Sequence, residues 1–144
     1  MTETLNLAWL HQAVTWLLAP ALAALVFGCA VAAAEAGIAV GERFWGLARL
    51  RAGGDARRVQ LIARHRLERA DLLARIPPML GLMATIIPLA PALAALGQGD
   101  PAQLASAVTV AFDATVLGLL AGIAGLVVGK LRRRWYDELL EAME

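Results

Sequence analysis

Residues Ser106–Gly129 read SAVTVAFDATVLGLLAGIAGLVVG, a run of 24 residues with a single charge, Asp113. About 20 helical residues cross a hydrocarbon core of roughly 30 Å, so an apolar stretch of this length is a membrane-span candidate. Two more runs qualify, about 13–34 and 76–96, and neither holds a charge. The chain has 144 residues, 60% of them hydrophobic. That length suits one soluble domain, but this distribution does not. The expectation is an all-α polytopic membrane protein with three transmembrane helices.

The positive charge is segregated around these runs. All thirteen Lys and Arg lie in 43–75 and 130–134. Residues 42–75 hold nine Arg against Glu42, Asp55, Glu68 and Asp71, a local excess of +5. Cytoplasmic segments carry such an excess, so both basic segments are expected inside and the N-terminus outside. The simplest role of these arginines is to set topology and to meet anionic headgroups of the lipid bilayer. The resulting layout is a single membrane domain over 1–144. It comprises an interfacial helix at 4–16, a first span at 13–41, a basic helical segment at 42–75, a second span at 76–96, an outer turn at 97–105, a third span at 106–129 and a cytoplasmic tail at 130–144. The first run reads as a span and not a cleaved leader, since residues 1–12 carry Glu3 and no positive n-region.

Local signals refine this. Leu5, Trp9, Gln12/Ala13 and Trp16 share a face, and tryptophan prefers the headgroup level. Trp45, Trp135 and Tyr136 are expected to mark the inner interface. Gly53-Gly54 breaks the basic segment and Asp55 caps a helix over 56–75, with Asp71 and Arg75 paired at i,i+4. Pro77-Pro78 is expected to interrupt or kink it. His65 is expected in solvent. Gly97-Gln-Gly99 ends the second span. Asp100, Pro101 and Gln103 form a capping-box start for the third helix. The tail reads as a short amphipathic end with Leu139, Leu140 and Met143 on one side.

Polar groups inside a bilayer are functional candidates. In the second and third spans these are Thr85, Ser106, Thr109, Asp113 and Thr115. Threonine commonly bonds its own helix or a neighbouring one, so spacing must decide. Ala111, Thr115, Gly118, Gly122, Gly125 and Gly129 lie on one face, as do Gly81, Thr85, Pro88, Ala92 and Ala95. Small faces let helices approach closely. In a ring of copies they would line a narrow tract whose side-chain hydrogen-bonding groups are Thr85 and Thr115. A hydroxyl both donates and accepts, which suits a proton relay through water. Asp113 stands about 200° from Thr115 and is a further, separately placed proton-path candidate.

Other chemistries are not expected. Cys29 is the only cysteine, both histidines fall outside the apolar runs, and no paired aspartates occur. We expect no enzyme, no metal site, no cofactor and no nucleic-acid partner. A small carrier is disfavoured because three short spans offer no inverted repeat, although Pro88 and Pro91 do interrupt the second span.

Two segments resemble a known family. Pro78-Met-Leu-Gly-Leu-Met-Ala-Thr85-Ile-Ile-Pro88 is similar to the Gly-Leu-x-x-Thr pattern, and Ala111-Phe-Asp-Ala-Thr115-Val-Leu-Gly118-Leu-Leu-Ala-Gly122 to the Ala-x-x-x-Thr-x-x-Gly-Leu pattern, of the MotA/TolQ/ExbB proton-channel family. Their order and the N-out, three-span layout match as well. The resemblance implies a ring of self copies, a pentamer in this family, around single-span partners of the ExbD/TolR/MotB kind in the inner membrane. The partner helix carries an aspartate facing the ring's threonines, and proton passage drives rotation. Thr85 and Thr115 would then be the proton-path residues. Two features depart from the family. Val110 stands where ExbB- and TolQ-like members carry an acid, and the basic loop is short. The competing reading is a structural or assembly subunit of the same fold without ion flux.

Overall fold

The computed structural model describes residues 9, 12–43 and 56–142. Leu5, Trp45, the Gly53-Gly54 break, the Asp55 cap and Met143 lie outside the described residues. The described residues are all-α, with three long helices: α1 (Leu18–Gly41), α2 (Ala56–Gly97) and α3 (Pro101–Glu141). Residues 12–16 are helical as well, and Leu17 donates to the Val14 carbonyl at 3.1 Å where that short piece meets α1. All three helices are long and apolar enough to cross a membrane. The first such stretch, Gln12–Gly41, includes Glu35, so Asp113 is not the only ionisable residue within a span.

The expected interruption at Pro77-Pro78 is absent. Helix α2 passes through Pro77, Pro78, Pro88 and Pro91 without interruption. Each proline removes one N–H, so the carbonyls of Leu73, Ala74, Ala84 and Ile87 lack their i+4 donors. A membrane helix tolerates this where a neighbouring helix packs against the freed backbone. Helix α3 likewise runs on to Glu141, so the amphipathic tail is its continuation.

The turn between α2 and α3 is sharply determined. Asp100 donates its N–H to the Ala95 carbonyl and Gly99 to that of Leu96, both at 3.0 Å. This is the double closure of a Schellman motif, with Gly99 at φ +87° as the left-handed residue. Asp100 Oδ1 then accepts from the N–H of Ala102 at 3.1 Å and of Gln103 at 3.3 Å, capping α3. Because the Asp100 N–H is bonded to Ala95, the Gln103 side chain does not close the expected box.

The chain forms two compact units, each built from all three helices. One holds the described residues up to Phe27 with Pro77–Leu119. The other holds Gly28–Ile76 with Leu120 onward. Buried positions recur at steps of seven along each helix: Leu25, Ala32 and Ala39; Ala63, Ala70, Pro77 and Ala84; Gly118, Gly125, Arg132 and Leu139. A period of 3.5 is the spacing of left-handed coiled-coil packing. Small residues dominate, so backbones come close. The second unit adds a larger plug of Val59, Ala63, Tyr136 and Leu139, with Leu140 against it. Tyr136 is therefore a core residue and does not mark an interface. Large apolar side chains such as Phe27, Leu82, Ile86, Phe112 and Leu120 face outward.

Candidate functional site

In the first unit, α2 and α3 meet backbone to backbone. A Cβ placed on Gly118 would lie 2.7 Å from the Pro77 carbonyl oxygen and 3.2 Å from the Gly81 Cα. One on Gly81 would lie 2.9 Å from the Ala114 carbonyl oxygen. Only hydrogen fits at either position. Gly81 and Gly118 thus let the two helices pack closely within the chain. In the second unit Gly125 repeats the arrangement against Leu73 and Ala74, where a Cβ would meet the Ala74 nitrogen at 2.6 Å. Gly122 is buried on the same side of α3.

Thr115 flanks this crossing, its Cα 3.5 Å from a Cβ built on Gly81. Thr85 lies one turn along α2 from Gly81. Both are half-buried. The Thr85 hydroxyl donates to the Leu82 carbonyl at 2.6 Å, and the Thr115 hydroxyl to that of Ala111 at 3.1 Å. Each proton rests on the residue's own helix, while each oxygen keeps lone pairs that accept from water.

The other candidates go elsewhere. Asp113 is exposed and apart from the crossing. Pro88 lines a groove with Thr15, Ile87, Pro91, Gln103 and Ser106. His65 is exposed and Cys29 half-buried. Asp71 and Arg75 do not form their expected pair. Arg64 and Glu68 do, at 3.2 Å, while Asp71 and Arg75 share a shallow groove with Glu68 and Leu72.

The second unit holds a charge cluster that the apolar runs did not announce. Arg132 is wholly buried. Its Nη1 donates to Glu35 Oε2 at 2.7 Å and its Nε to Glu42 Oε2 at 3.0 Å. Arg66 pairs with the other oxygen of Glu42, and Arg69 stands 3.7 Å from that of Glu35. The result is an alternating ladder, Arg69–Glu35–Arg132–Glu42–Arg66, across three helices. Glu35 and Glu42 are seven residues apart and share a face. Beside it, the Arg43 guanidinium lies 5.6 Å over the Trp135 ring, a cation–π contact that seats Trp135 against the helices. No group of three or more His, Cys, Asp or Glu able to hold a metal occurs among the described residues.

The sequence pattern of the MotA/TolQ/ExbB proton channel family matches residues 53–144. The chain belongs to that family. No curated protein and no solved structure matches it. Membership implies a proton-channel role in an energy-transducing membrane complex, working with partner subunits. The MotA/TolQ/ExbB match spans α2 and α3 entirely, including Gly81, Thr85, Thr115 and Gly118. It stops short of α1, so Glu35 and Glu42 lie outside the family's pattern and Arg66, Arg69 and Arg132 within it.

Proposed function

We propose that this chain is the ring-forming subunit of a proton-motive-force-driven energy-transducing complex in the bacterial inner membrane. Protons pass between the α2–α3 face bearing Thr85 and Thr115 and a single-span partner of the ExbD/TolR/MotB kind, which contributes the titrating acid. The N-terminus is outside and both arginine-rich segments are inside, where their charge is retained. The observation that carries this reading is a glycine-tight crossing with half-buried Thr115 beside it and half-buried Thr85 one turn along α2, inside the family-matched region. The glycines are closed to solvent by the crossing, so hydroxyls are what these two helices offer a proton there.

The test is proton flux. The complex, purified through this chain with its native partner, is placed in vesicles, and acidification is followed under an imposed potential. Thr85→Val and Thr115→Val remove the hydroxyl at nearly constant volume. Each is expected to assemble normally and to lower flux at least about tenfold, the equivalent of about 1.4 kcal/mol of barrier. Undiminished flux in the double variant would refute the proton-path assignment. No flux in the wild type would leave the non-conducting assembly reading.

A further inference from the structure

We propose that the face of α3 carrying Ser106, Thr109 and Asp113 docks the transmembrane helix of a third protein, one that presents a lysine, arginine or histidine at the depth of Asp113. The three residues are all exposed. They follow steps of three and four, so they form one stripe along the helix. Their exposed neighbours are Phe112, Val116, Leu117 and Leu120, which places the stripe within an apolar surface that the chain's own helices leave uncovered. Hydrocarbon cannot hydrogen-bond a carboxyl, and acids within spans therefore face protein or water.

The stripe holds one acid and no base, so the complementary partner is a cation. Thr109 has directed its proton to the Ala105 carbonyl at 3.0 Å, leaving its oxygen as an acceptor. A second copy of the chain is a poor source of that cation. All its Lys and Arg lie in 43–75 and 130–134, and its histidines, His11 and His65, fall outside the three apolar runs. Lys130 is about 25 Å of helix from Asp113 at roughly 1.5 Å per residue. Arg75 is six residues beyond Gly81, the residue level with Ala114, and an arginine near a span's end extends towards the membrane surface. The hydroxyl protons of Thr85 and Thr115 rest on their own carbonyls. An acid-bearing single-span partner would set carboxyl against carboxyl. Charge complementarity thus selects a basic helix from a different polypeptide. This inference goes beyond the channel reading and does not require Thr85 or Thr115 to carry protons.

The experiment places a photoreactive benzoylphenylalanine at Val116, one turn from Asp113, in the full chain in its native membrane. After illumination the adduct is identified by mass spectrometry. The expected adduct is a membrane protein whose spanning helix holds a basic residue at that depth. Asp113→Lys should abolish it, and exchanging the partner's basic residue for Asp should restore it. Asp113→Asn, nearly isosteric, guards against misfolding: its gel-filtration profile should be unchanged and its adduct yield several-fold lower. An adduct to a second copy, to the acid-bearing partner or to lipid alone would overturn the proposal, as would a yield indifferent to Asp113→Asn. Proton flux separates the two proposals. Normal flux without this adduct sinks the docking surface alone, and the adduct without flux sinks the channel alone.

Discussion

Replacing Arg132 with methionine tests whether the charge ladder holds the second unit together. The change removes a guanidinium with no exposed surface and two short bonds, 2.7 Å to Glu35 and 3.0 Å to Glu42. Methionine has a similar length and flexible geometry, so little of the effect comes from a cavity. What remains is two glutamates, 8% exposed in the case of Glu35, each with one arginine. Arg66 still pairs with Glu42, but Arg69 stands at 3.7 Å from Glu35, beyond a good hydrogen bond. Deleting one partner of a buried pair costs about 3–5 kcal/mol. The two retained arginines place this case at the low end, about 3 kcal/mol. For a chain of this size that corresponds to a fall of about 10 °C in melting temperature. The assay is thermal unfolding of the detergent-purified protein, followed by circular dichroism and by gel filtration. The triple variant Arg132→Met, Glu35→Gln, Glu42→Gln removes the unpaired charges and should recover most of the loss, since apolar or neutral replacements of whole ion clusters are often tolerated. A single variant melting within about 1 °C of wild type would refute the reasoning, because it implies less than about 0.5 kcal/mol. A triple variant as unstable as the single one would show that packing and not charge matters at this position.

Two further changes probe the fold. Gly118→Ala gains about 1 kcal/mol of helix propensity but forces a Cβ to 2.7 Å from the Pro77 carbonyl. Overpacking of that kind costs about 1–3 kcal/mol, so the net effect is a loss of up to about 2 kcal/mol. Gly37→Ala, with nothing within 4 Å, should stabilise by about 0.5–1 kcal/mol, and opposite signs in the same melt are the check. Asp100→Ala removes the acceptor for the Ala102 and Gln103 N–H groups. It should cost about 1 kcal/mol, read as a lower melting temperature and faster amide exchange in the first turn of α3.

Much of this architecture was legible because a bilayer narrows the choices. Apolar length determined three helices, and the Gly99, Asp100 and Pro101 signals put the start of α3 around residue 101, where it begins. The ladder was not legible from the same reading, which looked for charge-free runs and ended the first at Ala34, one residue short of Glu35. Nor does composition tell which member of the basic run 130–134 is buried. Helical phase does. Gly118, Gly125, Arg132 and Leu139 fall at steps of seven, so the stripe that marks close packing also points Arg132 inward, and Glu35 on α1 and Glu42 just past its end repeat that step. The prolines misled for a related reason. Propensity measured in water makes Pro77-Pro78 a break, but here glycines on α3 pack against the backbone those prolines leave open.

The two acids embedded in the helices illustrate opposite answers to one energetic problem. Glu35 is satisfied inside the chain, by an arginine that is itself fully enclosed. A group so paired holds helices in place. Asp113 is left outward, which suits recognition by a neighbour. Neither stands beside Thr85 and Thr115. The family-matched crossing therefore offers hydroxyls with their protons on backbone carbonyls, and hydroxyls relay a proton without storing one. In the proposed channel the titrating acid then comes from outside the chain. That division of labour makes ion flux conditional on the partner's presence, so vesicles holding this chain alone should stay proton-tight while those holding the complete complex conduct.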